Sequence, residues 1–399
     1  MKKQDFKKKL IIKSDGGAED AFQARLSVSG GAKKLIGLSI ALTLLIFMIV
    51  IFRYDFVNRP STLARFLDSA ARRFSDFGRM LSGKPSNGLQ FSVYTMLIVA
   101  LVGAALSACG SVCQGIYRNP MASPSMLGVQ SGGMVAAALY LLIRWEPAAV
   151  SELYTFEEYS TLLDSMSFYD IYARQLWMII GCLIGAGIVI TLSTRAGRGK
   201  MSSVILIISG ALFSSFANTF TSLVRYWFIY NDPTPDRAYA MMSISMGSFA
   251  NTYKLSHLAM LGVPIIIGLV ILFSQSVRLN VLMFGEDEAR TMGLNTTRFK
   301  TLMLVLCTVL NAVILSFCGQ IGFIGLLIPH FARKLAGSDF KMLLPFSALL
   351  GAVSMALVYG VASCIGFTSR INVITSVVGG AMYLFVMLKC RRRQNADWA

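Results

Sequence analysis

A chain of 399 residues that is 55% hydrophobic and 14% charged could be soluble only if its charges were spread along it, and they are not. Stretches without Asp, Glu, Lys or Arg cover 35–52, 91–116, 122–143, 175–194, 201–224, 255–277, 301–332, 342–369 and 371–388, and about 20 apolar residues suffice to cross a bilayer. Composition therefore excludes a soluble enzyme and predicts an all-α, polytopic membrane protein. The net charge of +17 then reads as topology and contact with anionic membrane lipid, with no nucleic-acid partner expected.

In chain order, residues 1–34 are rich in Lys and contain Gly and Ser, as expected of a basic cytoplasmic tail near anionic lipid. The apolar stretch at 35–52 follows without a small-residue cleavage site, so it reads as a retained span. Next comes an insertion at 60–82 containing STLARFLDSAARRFSDFGRML. Here Leu63, Phe66, Leu67, Ala70, Phe74, Phe77 and Leu81 recur at helical spacing, while Arg65, Arg72, Arg73 and Arg79 take other positions. This predicts an amphipathic helix on the outer surface, either resting on headgroups or docking an external partner.

The second window steps through Gly103, Ser107 and Ser111, with Ala104 and Gly110 nearby, so a neighbouring backbone can approach closely. Cys109 and Cys113 share a helix face there, and with no third ligand joining them they read as packing residues. The seven Cys imply no disulfide framework. Beyond the window, Gln114, Asn119 and Ser123 with Pro120 and Pro124 form a broken segment, which a membrane tolerates only against protein or a water-filled cavity. Such a place suits a permeation path.

The window at 301–332 is too long for one crossing of about 30 Å at 1.5 Å per residue, and Gly319, Gly322 and Gly325 interrupt it. A span at about 301–318 and a short helix at about 321–336 are predicted. The count reaches ten membrane elements between 35 and 390, with 391–399 as a second cytoplasmic tail. Ten elements put both termini on one side, where 24 of the 37 Lys and Arg then lie, and the positive-inside rule makes that side the cytoplasm.

Three segments carry a resemblance. LVGAALSACGSVCQGIYRNPMASPSMLGVQSGG at 101–133, GEDEARTMGLN at 285–295 and GQIGFIGLLIPHFARKLAGSDFKMLLPFSALLGA at 319–352 resemble, in order and spacing, signature segments of the FecCD family. These are permeases of bacterial ABC importers for ferric siderophores, haem or vitamin B12. The resemblance implies a BtuC-like, type II importer architecture in the bacterial cell membrane. It also implies a second permease copy or a paralogue as dimer partner, two cytoplasmic ATPase subunits and an external substrate-binding protein.

For particular residues, the resemblance makes 280–300 the coupling loop to the ATPase. Its contact set would be Gly285, Glu286, Ala289, Arg290 and Gly293, with Ala289 for close approach, Arg290 for a carboxylate and Gly293 for the turn. The local residues alone favour a capped surface helix, and it is the resemblance that reverses this. A gate is implied at Ser202 and Ser203, which open the fifth span, and at Asn119 on the other inner turn, beside Gln114 and Pro120; plain helix capping is the competing reading. Pro329, His330 and Arg333 would end a short eighth element at the cytoplasmic face, His330 being structural rather than a ligand.

Two stretches depart from the family pattern, Ser92 to Thr95 and TSRINVITS at 368–376. Docking of the binding protein then falls to Arg65, Arg72, Arg73 and Arg370. GSFANTYKL and ITSVVGGAMYLF resemble the iron-chelate branch, which implies a ferric siderophore as cargo, with haem or vitamin B12 as alternatives.

Other chemistry fits less well. The windows hold no ionisable residue except His257 and His330, so an ion-coupled secondary transporter is a remote alternative. No paired carboxylates or nucleophile–base spacing occurs in them, and neither a metal nor a cofactor is expected. Gly199-Lys200 has Thr194 and Met201 where a phosphate-binding loop needs Gly and Ser or Thr, so ATP falls to a partner.

Overall fold

The computed structural model describes residues 35, 37–42, 44–45, 87–120, 122–144, 168–196, 203–232, 236–249, 255–365 and 367–396. The basic tail and the insertion at 60–82, with Arg65, Arg72 and Arg73, lie outside the described residues. So does Ser202, and of Ser203 only the backbone is described.

Among the described residues every regular element is helical. The helices are α1 (Asn87–Tyr117), α2 (Val129–Arg144), α3 (Phe168–Ala196), α4 (Ser203–Asn231), α5 (Asp236–Met246) and α6 (Leu255–Ser274). After them come α7 (Ser276–Phe284), α8 (Glu286–Thr291), α9 (Thr296–Cys318), α10 (Ile324–Ala336), α11 (Phe340–Cys364) and α12 (Ile371–Ala396). A 3-10 turn at Pro124–Leu127 joins α1 to α2. Six of these helices are long and apolar enough to cross a bilayer, and α2 and α12 contain shorter apolar stretches.

The hub is α1. In its most apolar stretch 83% of residues are buried, against 28% in α4 and α6, which leaves those two helices facing outward. Its centrality follows from its small residues. A Cβ on Gly103 would overlap the Gly351 carbonyl of α11, so the two backbones touch. One turn further, Ser107 Oγ lies 2.6 Å from Ser347 Oγ, and Ser111 Oγ donates to the same oxygen at 2.8 Å. Without a hydrophobic drive between helices in lipid, close contact and hydroxyl bonds of this kind hold them together.

The break expected in the window 301–332 falls at Gly319–Phe323. Gly319, at φ +71°, ends α9, and α10 begins at Ile324 rather than near 321. The turn's polar groups are satisfied by distant elements. Gly322 N donates to Asn372 Oδ1 on α12, Gln320 N to the Ile244 carbonyl on α5, and Gln130 on α2 to the Ile321 carbonyl.

Several boundaries differ from the charge-free windows. The helix α4 continues to Asn231 and carries Arg225, whose charge ended the window at 224, inside its last two turns. The helix α5 was not anticipated, because its 11 residues are too few to cross a bilayer and it opens on Asp236 and Arg237; it braces the Gly319 turn through the Ile244 carbonyl. The helix α12 runs through Arg391–Arg393 to Ala396, beyond the boundary set at 391. Thr95, in the first stretch that departs from the family pattern, is fully buried within α1, which starts at Asn87. Finally, a third Cys does join Cys109 and Cys113: Cys307 of α9 lies 3.9 Å from the Cys109 carbonyl oxygen and contacts Cys113. All three thiols are buried, and no group of three or more His, Cys, Asp or Glu with the arrangement of a metal site occurs among the described residues.

Candidate functional site

The candidate site lies where α1 ends, α7 to α9 turn, and α10 meets α11. The Gly325-to-Asp339 stretch explains much of it. Pro329 has no N–H, so the Gly325 carbonyl loses its partner four residues on. That carbonyl lies against the Cα of Gly110, where a Cβ would overlap it. One residue on, the Leu326 carbonyl accepts from Gln114 Nε2 at 2.9 Å. The proline thus opens one face of α10 to the backbone and amide of α1.

Gly337 and Asp339 make the turn out of α10. Gly337 takes φ +84° after the helix end, and the Asp339 carboxylate caps α11 by accepting from Lys341 N at 2.9 Å. Asn280 of α7 locks this turn twice, its Nδ2 donating to Asp339 Oδ1 at 2.6 Å and its Oδ1 accepting from Phe340 N at 2.9 Å.

The C-terminal end of α1 is tied to the same unit. Arg118 has φ +48°, a conformation that costs a non-glycine residue about 1–3 kcal/mol, and Asn119 N bonds back to the Gln114 carbonyl. The strained backbone turns the Arg118 guanidinium onto the end of α7, where Nη2 donates to the Leu282 and Met283 carbonyls at 2.8 and 3.3 Å. Those carbonyls lie in the last turn of α7, where Leu282 also accepts from Gly285 N at 3.4 Å, and a cation suits the negative end of a helix electrostatically.

The short helix α8 stands between Gly285 at φ +146° and Gly293 at φ +83°. Its first turn carries Glu286, Asp287 and Glu288 at the positive helix end. Glu286 bonds to Lys300 of α9, and Arg290 Nε donates to Thr296 Oγ1 at 3.2 Å. The Lys300 ammonium, helped by Arg290 and Arg118, outweighs partial burial and holds the Glu286 carboxyl below the usual glutamate range.

Of the residues expected in this site, Gly285, Glu286, Arg290 and Gly293 lie on α8 and its flanks, and Gln114, Asn119 and Pro120 lie together at the end of α1. Ala289 needs a correction: it is wholly buried against its own chain, so it seats α8 instead of facing a partner. Arg290 is half-exposed but its charge is shared, lying 3.9 Å from Glu286 and 3.7 Å from Asp287. Arg370 is exposed in the turn before α12 and stacks over Phe367 at 5.5 Å, apart in sequence from the other candidate-site residues.

Sequence reasoning missed Arg118, Asn280 and Lys300 as structural links. Arg118 had a usable signal, a lone cation directly before Asn-Pro at a helix end. Lys300 had none, because its partner lies fourteen residues away across a loop.

An all-helical, multi-pass bundle with a broken α9–α10 pair and a short loop helix on one face defines a membrane permease. The same fold occurs in a solved metal-chelate type ABC transporter in an inward-facing conformation, with a TM-score of 0.68 and 25% identity over 90% of this chain and 99% of that one. Residues 34–389 match the FecCD transport family model, and the chain belongs to that family: it is the permease subunit of an ABC importer, not itself an enzyme.

Among relatives, the cobalamin import permease BtuC of Halobacterium salinarum is 30% identical over 73% of this chain and 70% of its own. The Fe(3+)-citrate import permease YfmD of Bacillus subtilis is 30% identical over 74% and 79%. Further relatives are named as hemin and molybdate permeases.

Proposed function

We propose that this permease carries a ferric siderophore into the cytoplasm, with both termini on the cytoplasmic face. It would work as a dimer with a second copy or a related permease, two ATPase subunits and an external binding protein. The coupling reading is carried by one observation. The exposed helix α8 is flanked by two positive-φ glycines, yet Lys300, Arg118 and Asn280 tie its surroundings to α9, α1 and α11. A push on α8 by a closing ATPase is therefore delivered to the inner end of α1, where Gln114, Asn119 and Pro120 lie, with Ser202 and Ser203 assigned to the opposing side of the gate.

The basic side is assigned to the cytoplasm by the positive-inside rule. Iron chelate is favoured over haem and vitamin B12 by the resemblance of 247–255 and 374–385 to the iron-chelate branch. The relatives' named cargoes include cobalamin and Fe(3+)-citrate alike, so uptake decides between them. A deletion strain given single iron sources should lose growth on at least one ferric siderophore and regain it with the gene restored. Normal growth on every siderophore, with loss on haem alone, would overturn the cargo assignment and leave the importer class intact.

A further inference from the structure

Phe323, the residue before α10, has φ +64° and ψ −28°. A bulky aromatic residue adopts this left-handed backbone only where its surroundings impose it. Here the surroundings come from two other helices. Phe323 packs against Gly379 of α12, where a Cβ would overlap it, and Gly322 N donates to Asn372 Oδ1 at 3.0 Å. Asn372 Nδ2 in turn donates to the Ser245 carbonyl of α5 at 3.0 Å, and Ser376 Oγ donates to its Oδ1 at 3.4 Å. With an N–H on one side and a carbonyl on the other, the amide has one workable orientation. Asn372 therefore joins α12, α5 and the turn at one point.

The same turn leads directly to α1. The Leu326 carbonyl, in the first turn of α10, accepts from Gln114 Nε2, and the Gly325 carbonyl that Pro329 leaves without a helical partner rests on Gly110. The Gln114 carbonyl accepts from Asn119 N, and Arg118 between them is bonded to the end of α7. Hydrogen bonds and backbone contacts thus run without a gap from Asn372 to Arg118. Contiguity alone does not couple two places, and an element with two arrangements must lie between them. Phe323 is such an element, because a strained φ enforced by Asn372 and Gly379 has an ordinary conformation to return to.

We infer that Asn372 is a positioning residue for transport: it fixes the first turn of α10 on α1 and so, through Gln114, the seat of Arg118 on α7. Asn372 lies two residues beyond the exposed Arg370, so a change at that turn reaches α1 through it. The link stands apart from the coupling reading of α8, and only its use in transport rests on that reading.

Amide exchange, read by mass spectrometry on the full-length permease in nanodiscs, tests the link without ATPase or cargo. Asn372→Ala should speed exchange about fivefold in 320–327 and in 118–122, the change expected for one lost hydrogen bond, while 178–190 of α3 keeps its rate. In a Gln114→Leu background the same substitution should add nothing at 118–122, because the route is already cut. Gly379→Ala, which pushes on Phe323 from the other side, should also raise exchange at 118–122. It carries the test should Asn372→Ala fail to elute as a single species.

Faster exchange confined to 320–327, or a further rise at 118–122 in the Gln114→Leu background, would make Asn372 a local packing residue and overturn the inference. In the transporter assembled with its ATPase and binding protein, Asn372→Ala should lower binding-protein-stimulated ATP hydrolysis about fivefold and leave the basal rate unchanged. Wild-type stimulation in this variant, where Ala289→Trp is uncoupled, overturns the role in transport. Wild-type stimulation in both variants overturns the α8 reading instead.

Discussion

Gly110 owes its importance to the side chain it lacks. Its Cα fits against the Gly325 carbonyl that Pro329 leaves without a helical partner, so the proline of one helix and the glycine of another make a single contact. Gly110→Val would force the backbones apart and should destabilise the protein by about 1–3 kcal/mol, the usual result of overpacking. A thermal-aggregation midpoint in detergent equal to that of the wild type would show that α10 gives way freely.

Glu286 supplies a pH-dependent counterpart. Its bond to Lys300 favours the carboxylate and depresses the folded-state pKa below an ordinary glutamate value of about 4.3. The stabilisation is therefore fully present above that value and is lost as pH falls through the lower folded one. Amide exchange in residues 286–296 should rise as pH is lowered through that window, after correction for intrinsic exchange. In Glu286→Gln the rise should be absent. The carboxylate is half-exposed, so solvent screening keeps the effect small.

At the scale of the element, α8 is too short to be stable alone, and its shape comes from its attachments. Ala289 is buried beneath it and Arg290 bonds to Thr296 at the start of α9, so the helix is clamped from behind while its acidic face stays open. Ala289→Trp should lift α8 from its seat, and Arg290→Glu should add a fourth acid to Glu286, Asp287 and Glu288 and remove the cation that pairs with the first two. Each is expected to reduce transport-coupled ATP hydrolysis by roughly tenfold or more, the scale of a central contact residue, while the permease still inserts and elutes normally. Wild-type coupling in both variants would remove α8 from the coupling role.

The sequence showed this element's acidic start and glycine ends plainly, through charge order and residue type. It could not show which face is covered, because that depends on α9 and α7 folding across it. Ala289 was misjudged for this reason.

On the scale of the whole molecule, permeases of this family work with a substrate-binding protein, and the docking proposed for it uses Arg65, Arg72, Arg73 and Arg370. Arg370 is exposed in the turn before α12, consistent with such a contact. Exposed ion pairs contribute about 0–1 kcal/mol each and are screened over about 10 Å at 0.1 M salt, so several must act together. Reversing Arg65, Arg72 and Arg73 to Glu should weaken binding-protein affinity at low salt and have less effect at high salt. Unchanged affinity at low salt would make 60–82 a lipid-surface helix only.

By itself the sequence determined that the chain is helical, membrane-spanning and interrupted near Gly319, because charge-free length and glycine placement act locally along the chain. It also marked Gly103, Ser107 and Ser111 as a close-packing face, because small residues at helical spacing leave room for one partner backbone. The tertiary structure alone decided which helix that partner is, and it brought Cys307 to Cys109 and Cys113. Only the fold set Arg118, His330 and Arg333 around one cavity, two guanidinium groups and an imidazole more than two hundred residues apart at the extremes. Contacts between helices depend on how they cross, and a residue's spacing along its own helix carries no record of the helix it will meet.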